Sequence, residues 1–347
     1  MNGVIPIADD VYWVGVNDRQ TERFENVWPI PGGISYNSYL IVDRKTVLID
    51  TVKSNSVGSH CQRLRAALGG KKLDCLIINH MEPDHSESVR LLRKVFPELE
   101  IIGNRKTLEL LAAFYGLNEG VRAIEDGETL DLGEHQLKFF LTPMVHWPET
   151  MMTYEPGRRM LFSGDAFGSF GALDHGIFDD EIGDLAAFDA EILRYFSNVL
   201  GKYSSMFQKA LAKLNGLAVS FLCPSHGPVW RRNPRHVWSL YDEWSRHQTE
   251  PGAVVAYGSM YGSTQQMAET IGRSLAEAGV EQISVHDLST VHPSYVIMDV
   301  WRYGALIIGT PTYNTKPLPQ VDGLVRLLAN KAMKGRMLGI FGSYGWS

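Results

Sequence analysis

One short stretch limits what this chain can become. Cys75-Leu76-Ile77-Ile78-Asn79 is an apolar run closed by an amide, and four metal-donor side chains follow it within His80-Met81-Glu82-Pro83-Asp84-His85. A strand that is apolar throughout lies between layers, so it delivers those donors to a sheet edge. Three later donors sit just past strand-like runs of their own: His146 after Leu141-Thr142-Pro143, Asp165 after Met160-Leu161-Phe162-Ser163-Gly164, and His226 after Phe221-Leu222-Cys223-Pro224-Ser225. Seven donors in this order read as a two-metal site. One carboxylate can span two cations roughly 3.5–4 Å apart, and Asp165, flanked by the small Gly164 and Ala166, is the natural bridge. Glu82 adds a hard, anionic ligand, which favours iron over zinc.

The plain alternative is that these residues are structural. Lone histidines usually are, and His60, His135, His236, His247, His286 and His292 read that way. Loop carboxylates are commonly turn formers or helix caps. The density of the 80–85 motif and its place after a buried strand set it apart. His175, in Leu173-Asp174-His175-Gly176, reads two ways, as a catalytic residue shaping the pocket or as a surface histidine.

With 347 residues, 44% of them apolar, the chain can bury two cores. Its 33 basic and 39 acidic residues include no long basic run, which argues against nucleic acid or an anionic membrane as partner. The N-terminus lacks a charged segment followed by an apolar one, and no eighteen apolar residues run together. A soluble cytoplasmic protein is expected. Cys61, Cys75 and Cys223 are too few and too scattered for a disulfide framework or a four-thiolate iron centre.

Short strand patterns at 11–14, 37–42 and 46–50 give way to alternating helix and strand patterns: helix 60–68, strand 75–79, helix 86–96, strand 101–103. Strands at 137–141, 151–154 and 159–162 precede helices at 185–200 and 203–214. That mixture suits an α+β sandwich of two sheets between helices. Gln248-Thr249-Glu250-Pro251-Gly252 is the best linker candidate, dividing a domain of residues 1–249 from one of 250–347. The second part reads strand 253–257, helix 265–278, strand 283–286, strand 305–308, helix 318–328 and strand 337–341, an α/β series that forms a doubly wound parallel sheet. No internal repeat, Walker A loop or GxGxxG fingerprint occurs.

Ser259-Met260-Tyr261-Gly262-Ser263-Thr264 lies between a strand and a helix. Hydroxyls and free N–H groups at a helix N-terminus suit a phosphate monoester, although alone they describe a helix cap. Two more loops strengthen the ligand reading: Gly309-Thr310-Pro311-Thr312-Tyr313-Asn314 and Gly342-Ser343-Tyr344-Gly345-Trp346 follow the next strands, where such sheets place ligand contacts. Tyr313, Tyr344 and Trp346 offer flat surfaces for an isoalloxazine ring.

Taken in order, these motifs resemble the flavodiiron proteins, or A-type flavoproteins, across essentially the whole chain. The usual metallo-β-lactamase motif is His-x-His-x-Asp-His; here Glu82 replaces its second histidine. The resemblance implies a metallo-β-lactamase-like αββα sandwich with a non-haem di-iron site, followed by a flavodoxin-like domain carrying FMN. It also implies that His80, Glu82 and His146 hold one iron, that Asp84, His85 and His226 hold the other, and that Asp165 bridges them. A head-to-tail homodimer, or a dimer of such dimers, follows from the same resemblance. The implied activity is reduction of dioxygen to water, of nitric oxide to nitrous oxide, or both, with electrons from a rubredoxin, another reductase or a deazaflavin relayed through FMN. Two departures stand out. Glu87 replaces a frequent small glycine, and only four of five flavodoxin-like strands are found. The second departure leads us to expect a fragment of a longer protein, a truncated flavin domain and weakened FMN affinity. The rival readings are a zinc-dependent hydrolase of the same superfamily and an electron carrier with a structural metal.

Overall fold

The structure is a computed structural model that describes residues 3–174 and 176–345. The chain forms two compact units. One runs up to Phe188 and includes Ser205–Ser239; the other holds Asp189–Ser204 and everything from Leu240 on. The units therefore do not part at 249/250 as expected. Strand Glu250–Tyr257 begins inside the candidate linker, and the last residues of the helix Pro234–Ser245 before it, from Leu240, already belong to the second unit. Phe196, Tyr241 and Trp301 are fully buried there. Phe196 meets the rings of Tyr241 and Trp301 edge-on, at 5.0 and 5.5 Å between centroids.

In the first unit, a seven-stranded sheet runs in the order Ile5–Ala8, Val11–Trp13, Tyr39–Val42, Thr46–Ile49, Cys75–Ile77, Glu100–Asn104, Val121–Ile124. A five-stranded sheet runs Thr129–Asp131, Gln136–Leu141, Met151–Glu155, Met160–Gly164, Phe221–Pro224. Side chains alternate across a strand, and here both faces are buried. Tyr39, Ile41, Val47, Ile49, Cys75 and Ile77 meet Phe139, Met151 and Phe162 between the sheets. Leu40, Leu48, Leu76 and Ile78 face outward onto Leu64, Leu68, Leu92 and Leu111, carried by helices Val57–Leu68, Val89–Val95 and Arg105–Tyr115. The last of these helices is not evident from periodicity; Asn104 caps it by accepting from Lys106 N and Thr107 N. The sandwich is the expected one.

The topology also aligns the donors. Cys75–Ile77 runs parallel to Thr46–Ile49 and Glu100–Asn104, and Met160–Gly164 runs parallel to Phe221–Pro224, so the segments after these strands leave each sheet at one edge. In the second unit, Ile283–Asp287, Glu250–Tyr257, Tyr303–Tyr313 and Met337–Ser343 pair in that order, all parallel. This is the flavodoxin-like order over the four strands expected. Helix Pro293–Arg302 supplies a crossover that the sequence reading lacks. Among the described residues, no helix is long and apolar enough to cross a membrane.

Candidate di-metal centre and flavin site

Not all four early donors lie on a loop. Pro83, whose fixed φ suits a first helical position, opens the turn Pro83–Ser86, so Asp84 and His85 are helical while His80 and Glu82 precede it. The carboxylate of Asp50, at the end of strand Thr46–Ile49, accepts from Asn79 N at 2.8 Å. The carbonyl of His85 accepts from Thr51 N at 3.0 Å and from Thr51 Oγ1 at 2.5 Å. Gly164 adopts φ +59°, which glycine takes without a Cβ penalty, and it turns the chain into Asp165. Asn37 donates to the carbonyls of Pro224 (2.8 Å) and Gly227 (2.7 Å), fixing the segment that carries His226.

The seven donors converge in two groups. In the first, His80 Nε2 lies 3.2 Å from Glu82 Oε2, and His146 Nε2 lies 3.1 Å from both Glu82 Oε2 and Asp165 Oδ2. In the second, His85 Nε2 is 2.9 Å from Asp165 Oδ1 and 3.5 Å from Asp84 Oδ1, while His226 Nε2 is 3.4 Å from Asp84 Oδ2 and 3.6 Å from Asp165 Oδ1. Asp165 thus turns one oxygen to each group. Two ligands about 2.1 Å from one cation at right angles stand about 3.0 Å apart, close to the shorter spacings here. Among the described residues, neither buried oxygen of Asp84 has a hydrogen-bond partner. Buried polar atoms without partners are costly; shared cations would satisfy these, so the donor set fits a metal pair.

Electrostatics agree. Burial opposes charge on His80, yet the carboxylates of Glu149, Glu82 and Asp165 overcome it and carry the imidazole up to about 10. His146 is likewise carried to about 10 and His85 to about 9. Burial would raise the Asp165 carboxyl, but the surrounding imidazoles hold it well below the usual range. The carboxylates that hold these protons are the groups that would hold cations in their place, the protons leaving as metal binds. A cleft of about 730 Å³ opens over Glu82 and Asp84, walled by Phe24, Glu25, Tyr36, Lys53 and Glu87. Burial and the neighbouring Glu82 push the Glu25 carboxyl up to about 7.

Sequence reasoning missed Glu149, Asp50, Asn37 and Glu25. The acid three residues past His146 and the acid closing a buried strand were signals for the first two; nothing local marks Asn37 or Glu25. His175 lies outside the described residues.

The three flavin segments meet at the C-terminal ends of strands Glu250–Tyr257, Tyr303–Tyr313 and Met337–Ser343. Among the described residues no side chain caps helix Ser263–Glu277, leaving its first N–H groups available to an anion. Ser259 Oγ accepts from Gly262 N at 3.1 Å, and Thr264 Oγ1 lies 3.4 Å from Ser343 Oγ, joining the first and third segments. Met260, Tyr261, Tyr313 and Tyr344 expose large faces. Pro311, Thr312 and Tyr313 are not loop residues as expected; they end strand Tyr303–Tyr313, which pairs with Lys316–Pro317, and Asn314 turns the chain between them at φ +49°. Gly345 lies at the described end, and Trp346 lies outside the described residues.

A family model described as ODP family beta lactamase matches residues 34–227, more than half of the chain, and the flavodoxin model matches 255–347. The chain is 32% identical to a nitric oxide reductase of Moorella thermoacetica, over 100% of this chain and 87% of that protein. The flavodiiron protein from Giardia intestinalis superimposes with a TM-score of 0.95 at 28% identity, over 99% of this chain and 84% of that one. The chain belongs to the flavodiiron protein family. This flavodiiron protein also matches the rubredoxin oxygen:oxidoreductase of Desulfovibrio gigas, with a TM-score of 0.95 and 29% identity over 99% and 86% of the two chains. Membership makes it an oxidoreductase whose cofactors are FMN and a di-iron centre, and the zinc-hydrolase reading falls away.

Proposed function

We propose that this flavodiiron protein reduces dioxygen to water, nitric oxide to nitrous oxide, or both, taking electrons through FMN. The observation that carries the reading is the position of Asp165, with one oxygen toward each donor group. When bound, the iron pair and FMN supply the electrons and open coordination positions that either substrate needs. His80, Glu82 and His146 are proposed to hold one iron, and Asp84, His85 and His226 the other. Phe24 meets the His226 ring edge-on at 5.3 Å, walling the site with apolar surface that limits water. Hydroxyls of Ser259, Ser263, Thr264 and Ser343 and the first N–H groups of helix Ser263–Glu277 orient the FMN phosphate, and Tyr313 and Tyr344 flank its ring.

A rubredoxin-type protein, another reductase or a deazaflavin is the proposed donor, a head-to-tail homodimer or dimer of dimers the proposed assembly, and the cytoplasm the proposed location. The deciding experiment combines metal and flavin analysis with anaerobic assays of oxygen and nitric oxide consumption. Two irons and one FMN per chain with turnover of either gas are expected; two zincs and no turnover would overturn the reading. Asp165→Asn is expected to abolish turnover with the fold intact, and unchanged turnover would sink the bridge.

A further inference from the structure

The two donor groups differ in what stands behind their histidines. Each of His80, His85 and His226 turns Nε2 to the centre, so its Nδ1 is left to the protein. His80 Nδ1 donates to Glu149 Oε1 at 2.8 Å, with both side chains fully buried. His226 Nδ1 instead faces the neutral carbonyl of Ser35 at 2.7 Å, and His85 Nδ1 is buried with no hydrogen-bond partner among the described residues. Of these three imidazoles, the one whose Nδ1 is seen on a carboxylate is that of His80.

Glu149 is also held in place. Its Oε1 accepts from Met81 N at 2.8 Å, and its backbone carbonyl accepts from the Asn104 amide. It lies three residues past His146. One carboxylate therefore ties the segment that carries His80 and Glu82 to the segment that carries His146, and those are the three terminal donors of the first group. A carboxylate behind a ligating imidazole fixes its tautomer and ring orientation and raises its basicity.

We propose that Glu149 makes the two metal positions unequal: as the positioning residue behind His80, it holds the cation at His80, Glu82 and His146 more tightly than its neighbour at Asp84, His85 and His226. This rests on the two-metal reading of the centre, though not on the identity of the metal.

The test is a chelator competition on the metal-loaded, full-length protein, following metal per chain as chelator rises. Wild type should release its two ions in two separated steps. In Glu149→Gln, which keeps the shape and the acceptor for Met81, the later step should move to about 10- to 100-fold weaker binding while the earlier one stays. Asp84→Asn, which weakens a donor of the other group, should move the earlier step and so assign the two. Equal movement of both steps in Glu149→Gln, or of neither, overturns the proposal. Should Glu149→Gln lose its FMN absorbance and fold, Glu149→Asp is read instead, with the same one-step displacement expected and the same equal shift overturning it. Elemental analysis of the starting protein tests the iron reading separately, because a pair of zinc ions would refute that reading while still reporting on Glu149.

Discussion

At the residue scale, Glu82 is the side chain whose chemistry sets this centre apart. Its carboxylate sits 3.2 and 3.1 Å from His80 and His146, and replacing a hard oxygen by an imidazole moves a site toward zinc. Glu82→His is expected to shift the purified protein from iron toward zinc, as read by elemental analysis; an unchanged iron content would show that the other donors set the choice. The raised imidazoles give a second test. His80, His146 and His85 stand at about 10, 10 and 9, above their ordinary 6.5. In the metal-free chain this contributes stability that is complete below pH 6.5 and lost as pH rises through 9 to 10. Metal must displace those protons, so affinity should rise with pH up to about 9, by about tenfold per pH unit for each proton expelled. Chelator competition at pH 6, 7 and 8 measures the slope, and a flat profile would refute it. The convergence of the seven donor side chains could be anticipated from the sequence because each lies within a few residues past a strand, although Asp84 and His85 sit in the helical turn Pro83–Ser86. Asn37 was not legible, since its partner lies 187 residues away in sequence and no local pattern encodes such a contact; Glu149 was marked only by its place three residues past His146, while its partner His80 lies 69 residues away.

At the scale of elements, buried strands were readable because their apolar runs leave no other placement, as in Cys75–Ile77. Helix Arg105–Tyr115 was not, because its signal is an amide cap and the left-handed Gly116 rather than a clean apolar stripe. Strand Tyr303–Tyr313 overran its expected end because pairing with Met337–Ser343 and Lys316–Pro317 carries extended backbone through Pro311. The turn into helix Ser263–Glu277 yields a further prediction. Gly262 holds φ +92° with open space where a Cβ would sit, so Gly262→Ala suffers backbone strain alone, roughly 1–2 kcal/mol. Relieving it moves the N–H groups away from the phosphate. FMN affinity should fall about tenfold with metal content unchanged, as flavin fluorescence titration would report; undiminished affinity would place the anion elsewhere.

For the whole molecule, the sandwich and the doubly wound sheet were both foreseen, but the path of the chain between them was not. Residues 189–204 belong to the second unit although the first resumes at 205, because Phe196 packs on Trp301 and the Asn198 carbonyl accepts from Lys331 Nζ. A chain ending at residue 249 keeps all seven donors but strips those partners away. It is expected to load metal yet to melt several degrees below the full chain, since losing the burial of a large aromatic costs about 3 kcal/mol; equal melting temperatures would contradict the division described above.

That threading bears on how such a protein could be reshaped by recombination. Modules joined by one linker can be exchanged with a single crossover, but this backbone passes between its units at 188/189, 204/205 and 239/240. A flavin module grafted at one junction would inherit a foreign 189–204 segment, so the two halves are expected to change as co-adapted partners.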